Sequence, residues 1–176
     1  AAGVTWPAVP LGLVAVAYAW AQGRMLQAAR GIPAWRDPMI PTLVVTTALA
    51  EGGGLLLIVA SLHSGITVLA IAFATGAAFS RLLAWIVYRR QVEASLSSAA
   101  WTALAHVQTT LGPKGTGAAL TLYCMALVVP DARAPLALVG GLIALAAGSG
   151  FKLTLITRAG HNQGFALPHQ PVRGRR

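Results

Sequence analysis

Of the 176 residues, 56% are hydrophobic and 10% charged, and the mean hydropathy is +0.69. A soluble domain carries about 25% charged residues, so the composition excludes a water-soluble fold and points to an all-α integral membrane protein. The net charge of +9 would suggest nucleic acid in a soluble chain, but the basic residues fall between apolar runs, which fits membrane topology and argues against a nucleic-acid partner.

The chain starts without Met and enters an apolar run almost at once, with no basic leader segment. An N-terminal portion is therefore expected to precede it. The first predicted span covers residues 8–27, with Trp6 as an interfacial anchor and Arg24 and Arg30 past its apolar part. The loop over 31–41 holds Pro33, Pro38 and Pro41, which block continuous helix, and Trp35, Arg36 and Asp37, which suit a membrane interface.

The second span, 40–62, is the one around which the rest is organised. It places a single carboxylate, Glu51, at the middle of a membrane-length apolar run, followed by Gly52, Gly53 and Gly54. About 20 apolar residues cross a bilayer, and a charge at their centre is costly unless it faces a partner charge, a bundle interior or water. The glycines let a helix or a flat ligand approach the backbone. Thr46, Ala50 and Gly54 form a small-residue stripe, and Thr47 lies one turn from Glu51. After a polar link over 63–65, the third span, 66–88, repeats the pattern with Ala72, Gly76 and Ser80. Spans two and three are thus predicted to form an antiparallel hairpin, with Arg81 in the same half of the bilayer as Glu51.

Residues 91–111 mix apolar positions at helical spacing with Gln91, Glu93, serines, His106 and Gln108, the pattern of an amphipathic helix. The sequence LGPKGTG that follows reads as a turn; it is not a phosphate-binding loop, since no Gly-Lys-Ser/Thr stands at the required spacing. A fourth span over 118–129 is short unless it takes in residues 115–117. Residues 130–135 form the next turn. A fifth span over 136–156 carries Gly140, Ala144 and Gly148, with Lys152 near its end. The predicted architecture is an integral membrane helical bundle of about five transmembrane helices plus one amphipathic helix over 1–157, with a basic tail over 158–176.

If the amphipathic segment stays on one side, Arg24, Arg30, Arg36, Arg89, Arg90, Lys114, Arg158, Arg173, Arg175 and Arg176 collect on one face of the membrane. The other face has Arg133, offset by Asp131. The positive-inside rule then puts the tail in the cytoplasm and the protein in the inner membrane.

His63, His106, His161 and His169 all lie outside the middle of a span, which argues against bis-histidine haem, and none has helical ligand spacing for a metal. Cys124, the single cysteine, can form neither an internal disulfide nor a cluster cage. The intramembrane charges are Glu51, Arg81 and Lys152. Glu51 could pair with Arg81 and fix helix register. It could instead act as a proton-accepting carboxylate beside a quinone-sized cavity, where burial disfavours its charged form and an arginine opposes that.

The tail, FKLTLITRAGHNQGFALPHQPVRG, together with ARGIPAWRDPMIP and TTALAEGGGL, resembles the membrane-anchor subunits of molybdopterin oxidoreductases. These are the dimethyl sulfoxide reductase anchor (DmsC) and NrfD-like proteins, and within the group the pattern is most similar to the anchors of phenylacetyl-CoA:acceptor oxidoreductases. The resemblance touches about a third of the chain and implies a haem-free subunit without bound metal. Such a subunit anchors a molybdopterin catalytic subunit and a ferredoxin-like Fe–S subunit, and exchanges electrons with quinone. Family members have about eight spans, against five predicted here, which also points to missing N-terminal sequence. On this reading Glu51 handles protons, and Arg81, Lys152, Gly53 and Gly54 meet the quinone. Arg158, His161, Asn162, Gln163, His169 and Arg173 contact the partner. A small transporter or channel-like bundle with Glu51 in the transport path is the alternative, and a purely structural anchor a third; the inverted repeats that would favour the transporter are not visible.

Overall fold

The structure, a computed structural model, describes residues 8–29, 32–63, 65–93 and 112–161. They form helices α1 (Ala8–Ala28), α2 (Ile40–Leu62), α3 (Val68–Glu93), α4 (Pro113–Val128) and α5 (Arg133–His161), with 3-10 turns at Pro33–Trp35 and Pro130–Ala132. No strand occurs among the described residues. Trp6, Arg30 and residues 94–111 of the predicted amphipathic helix lie outside them, as do 162–176 of the tail.

Three helical stretches are long and apolar enough to cross a membrane: Ile40–Leu62, Val68–Val92 and Pro130–Thr157. The remaining two of the five predicted spans are helices with physical reasons to fall short. The last two turns of α1 hold Gln22, Arg24 and Gln27. α4 has 16 residues, about 24 Å at the helical rise, against a hydrocarbon core of about 30 Å. α4 nevertheless begins five residues before the predicted start at 118. Pro113 is tolerated in a first turn because it has no N–H to lose, and the Thr116 hydroxyl donates to Gly112 O at 2.6 Å. The turn predicted over 130–135 is likewise shorter, since α5 starts at Arg133 and runs on through Arg158 to His161, past the expected domain boundary at 157.

The packing is antiparallel around a ring. α2 lies between α3 and α5, α4 closes the ring between α3 and α5, and α1 lies outside against α2. Backbones come close between α2 and α5, where a Cβ on Gly54 would lie 2.9 Å from Gly141 O, and one on Gly141 would meet Gly54 O. The α2–α3 hairpin forms as predicted, but through a different face of α3. Ala72 and Gly76 are exposed and a Cβ on Gly76 meets nothing within 4 Å, whereas Ile71, Ala74, Ala78 and Arg81 point inward. Gly53 of α2 packs on Ala74: a Cβ added there would lie 3.0 Å from the Ala74 Cα. Small residues mark where a helix can be approached, not which such stripe is used; here the inward face is the one carrying Ala74, Ala77 and Ala78, while Leu69, Phe73 and Phe79 stay exposed.

Two apolar clusters fill the ring. One gathers Ile40, Leu43, Trp85, Tyr88, Phe151 and Leu155, with Trp85 and Phe151 edge to face at 5.2 Å between centroids. The other gathers Leu57, Ile71, Tyr123 and Ala137. Along α2, α3 and α5 the residues between these clusters are Thr47 and Glu51, Arg81, and Ala147 and Gly148. The bundle thus has a polar layer between two greasy ones.

The loop before α2 is tied down and is more than an interfacial belt. The Trp35 indole donates to Leu155 O at 3.0 Å, and the Tyr88 hydroxyl to Ala34 O at 2.8 Å. Asp37 accepts from the Met39 N–H at 2.8 Å. Burial pushes the Asp37 carboxyl up from its ordinary value, and the Met39 N–H opposes that. A carboxyl held higher in the folded state favours folding at acid pH, and that contribution is lost as pH rises through the folded value. Asp37→Asn keeps the acceptor, so thermal midpoints measured from about pH 4 to pH 6 are expected to fall less with rising pH than those of the wild type.

The antiparallel order gathers the ends carrying Arg24, Arg36, Arg89, Arg90 and Lys114 at one end of the bundle, and Asp131 and Arg133 at the other.

Candidate functional site

Glu51 is the central residue of the 23 in α2, at the bilayer midplane if α2 spans it. Its Oε2 accepts a hydrogen bond and ion pair from Lys152 Nζ of α5. The carboxylate occupies the space that Gly148, one turn before Lys152, leaves by lacking a Cβ: a methyl group there would overlap the Glu51 side chain. Its other oxygen, Oε1, is buried with no hydrogen-bond partner among the described residues.

Arg81 is 3% exposed. One end of its guanidinium donates to Ala147 O at 3.1 Å, while Nη1 has no hydrogen-bond partner among the described residues, and the Glu51 charge acts on it electrostatically. Three charges therefore meet in the polar layer, two positive and one negative. The direct partner of Glu51 is Lys152, not the Arg81 that hairpin reasoning suggested. Which cation reaches the carboxylate is set by the α2–α5 contact at Gly54 and Gly141, a tertiary fact with no local signature.

Beside this layer, on the side of the bundle away from Arg81, a cavity of about 490 Å³ opens between α1, α2 and α5. Tyr18, Gln22, Trp35, Thr47, Phe151 and Lys152 are among its walls. Lys152 bridges the two: its ammonium meets the carboxylate, and its side chain, 36% exposed against 15% for Glu51, also lines the cavity. A second space of about 500 Å³, between α1, α2 and α3, has no polar side chain in its lining and suits only hydrocarbon.

Gly53 and Gly54, considered above as quinone contacts, are used for helix packing, against Ala74 and against Gly141 and Ala144; neither lines either cavity. Arg158 and His161 belong to the last turns of α5, and Asn162, Gln163, His169 and Arg173 lie outside the described residues. His63 ends α2, with Nδ1 2.9 Å from Val59 O. No three His, Cys, Asp or Glu residues cluster in metal-binding range among the described residues.

No family model, curated protein or solved structure matches the chain. Function is therefore argued from the polar layer and the cavity beside it. Sequence reasoning placed Thr47 next to Glu51 but gave it no role, and it missed the cavity contributions of Tyr18, Gln22 and Trp35. These residues come from three separate elements, and only the docking of α1 on α2 unites them: Gly23 of α1 sits so close on Pro41 that a Cβ there would collide with the proline backbone.

Proposed function

We propose that the chain is the membrane-anchor and quinone-interacting subunit of a molybdopterin oxidoreductase complex, passing electrons between a partner Fe–S subunit and the quinone pool. The observation that carries the reading is a carboxylate at the middle of a membrane-length helix paired with an ammonium, with the same lysine side chain lining a largely apolar cavity. Quinone reduction and quinol oxidation move protons with electrons, so a quinone site needs ionisable groups next to a greasy binding space. Glu51 and Lys152 are such groups, and Arg81 holds the layer electrostatically. The sequence resemblance supplies the partner classes: a ferredoxin-like Fe–S subunit and a molybdopterin catalytic subunit.

In this reading the protein lies in the inner membrane, with the end bearing Arg24, Arg36, Arg89, Arg90 and Lys114 toward the cytoplasm. α5 ends on that side, and in this reading the tail meets the partner.

Two experiments test it. Purification of the tagged protein from native membranes in mild detergent, with metal analysis, is expected to bring down iron together with molybdenum or tungsten. A metal-free preparation under conditions that preserve such complexes would favour the transporter class instead. In the assembled complex, Glu51→Gln is expected to lower quinol-linked turnover about 100-fold, the scale of a lost acid–base group, while leaving assembly intact. Unchanged turnover would leave Glu51 with a structural role only.

A further inference from the structure

We infer that the inner wall of the cavity between α1, α2 and α5 is a two-donor site for a flat, uncharged ligand carrying a carbonyl oxygen, with the Thr47 hydroxyl and the Lys152 ammonium as the donors. A quinone head group is the chemical class that fits, so the inference rests on the reading above and adds to it the place and the residue that positions the ligand.

Thr47 carries the argument. Threonines in helices commonly satisfy their hydroxyl on the carbonyl one turn back, and this chain does so repeatedly: Thr46 on Thr42 O at 2.9 Å, Thr75 on Ile71 O at 2.8 Å, Thr154 on Gly150 O at 2.9 Å and Thr157 on Leu153 O at 2.7 Å. Thr47 is 0% exposed, yet its Oγ1 has no partner among the described residues. A buried hydroxyl left unpaired is destabilising, and Val would fill the same volume without that penalty. Thr47 is also on the cavity wall. With no surface open to water it belongs to the inner wall, and a ligand reaching it displaces the flexible Met25 side chain, with Lys152 kept as the second donor.

The second donor defines the ligand's chemistry. An ammonium has three N–H groups and no acceptor; Lys152 uses one on Glu51 and has others for the cavity. A hydroxyl and an ammonium together suit a carbonyl oxygen with two lone pairs. Glu51, Lys152 and Arg81 sum to one positive charge, which favours electron density on that oxygen and disfavours a cationic ligand. Apart from Gln22 and the polar tips of Tyr18 and Trp35, the remaining walls, including Phe151, Leu155 and Ile156, are apolar and match an uncharged ring better than a hydrated anion.

The test uses the full chain in lipid nanodiscs, titrated with decylubiquinone and read by tryptophan fluorescence, since Trp35 lines the cavity. The expected result is saturable quenching that Trp35→Phe largely removes. Thr47→Val is expected to weaken binding about fivefold, the loss of one hydrogen bond, and Thr47→Ala to show the same loss with a smaller side chain. Thr47→Ser, which keeps the hydroxyl, is expected to bind like the wild type. Without ligand, Thr47→Val is expected to raise the thermal midpoint, a gain that a hydroxyl already hydrogen-bonded in the fold would not produce. Equal affinity in Thr47→Val and wild type, no saturable quenching in wild type, or displacement of the quinone by benzoate at comparable concentration would each overturn the site. These outcomes are separate from the anchor reading. A metal-containing complex whose quinol turnover ignores Thr47→Val would keep that reading and move its quinone elsewhere, whereas a metal-free preparation that still binds quinone through Thr47 would keep the site and lose the anchor.

Discussion

Gly141→Ala is expected to lower the thermal midpoint of the bundle by about 5 °C, while Gly76→Ala leaves it unchanged or raises it. Both substitutions add one methyl group to a glycine in the middle of an apolar helix. At position 141 the new Cβ meets the Gly54 carbonyl oxygen and Ile58 Cγ1. The first of these is backbone, so relief requires α2 and α5 to move apart, and the contacts around Leu57 and Ala144 in the same interface loosen with them. Overpacking of this kind costs about 1–3 kcal/mol. At position 76 nothing lies within 4 Å, and alanine is the better helix former by about 1 kcal/mol. Thermal unfolding in one detergent, followed by circular dichroism, checks the pair. Equal effects would mean that α2 and α5 are not in backbone contact, and with that the route by which Lys152 reaches Glu51 would fail.

Lys152→Met is expected to destabilise the protein by about 1–3 kcal/mol, less than for a fully buried pair because the Lys152 side chain is 36% exposed, and the double variant Lys152→Met with Glu51→Gln to recover most of that loss. Removing the ammonium leaves the carboxylate beside Gly148 with no direct partner among the described residues, since Oε1 already has none there. The Arg81 guanidinium contributes a field but spends its hydrogen bond on Ala147 O. Neutralising both members of the pair removes the desolvation penalty together with the attraction. The coupling energy from the four-member cycle, measured by unfolding, is therefore expected to be large. A coupling near zero would mean that the two side chains do not meet. Gly148→Ala offers an independent check: it leaves every charge in place but pushes the Glu51 carboxylate aside. Because that carboxylate is the far end of a flexible chain, the stability loss is expected to be smaller than for Gly141→Ala, while under the proposed anchor function quinol-linked turnover falls with the broken pair.

The two variants also separate what was legible in the chain from what was not. The membrane class follows from composition, because an apolar excess with 10% charged residues cannot be reconciled with a water-facing surface. Span α2 with its central Glu51 is equally a sequence property: length and hydropathy are additive along a chain, and a lone carboxylate in 23 residues is visible without any partner. The gathering of Arg24, Arg36, Arg89, Arg90 and Lys114 at one end needed only the alternation of helix direction.

The α3 interface, the partner of Glu51 and the cavity were decided by tertiary structure. The stripe of Ala72, Gly76 and Ser80 has the right spacing for helix packing, yet Ile71, Ala74, Ala78 and Arg81 offer an equally regular face, and spacing has no term that ranks two faces of one helix. The choice is made by the shape of α2 at Gly53, where Ala74 fits. Lys152 sits 101 residues after Glu51, and its reach depends on a register locked by Gly54 against Gly141. Thr47 differs from Thr46, its neighbour with a satisfied hydroxyl, only in the direction it faces once α1 and α5 are in place. Composition and hydropathy are sums over residues and survive without a fold. Register, notches and unpaired hydroxyls are relations between distant residues, and they come into being only when the helices pack.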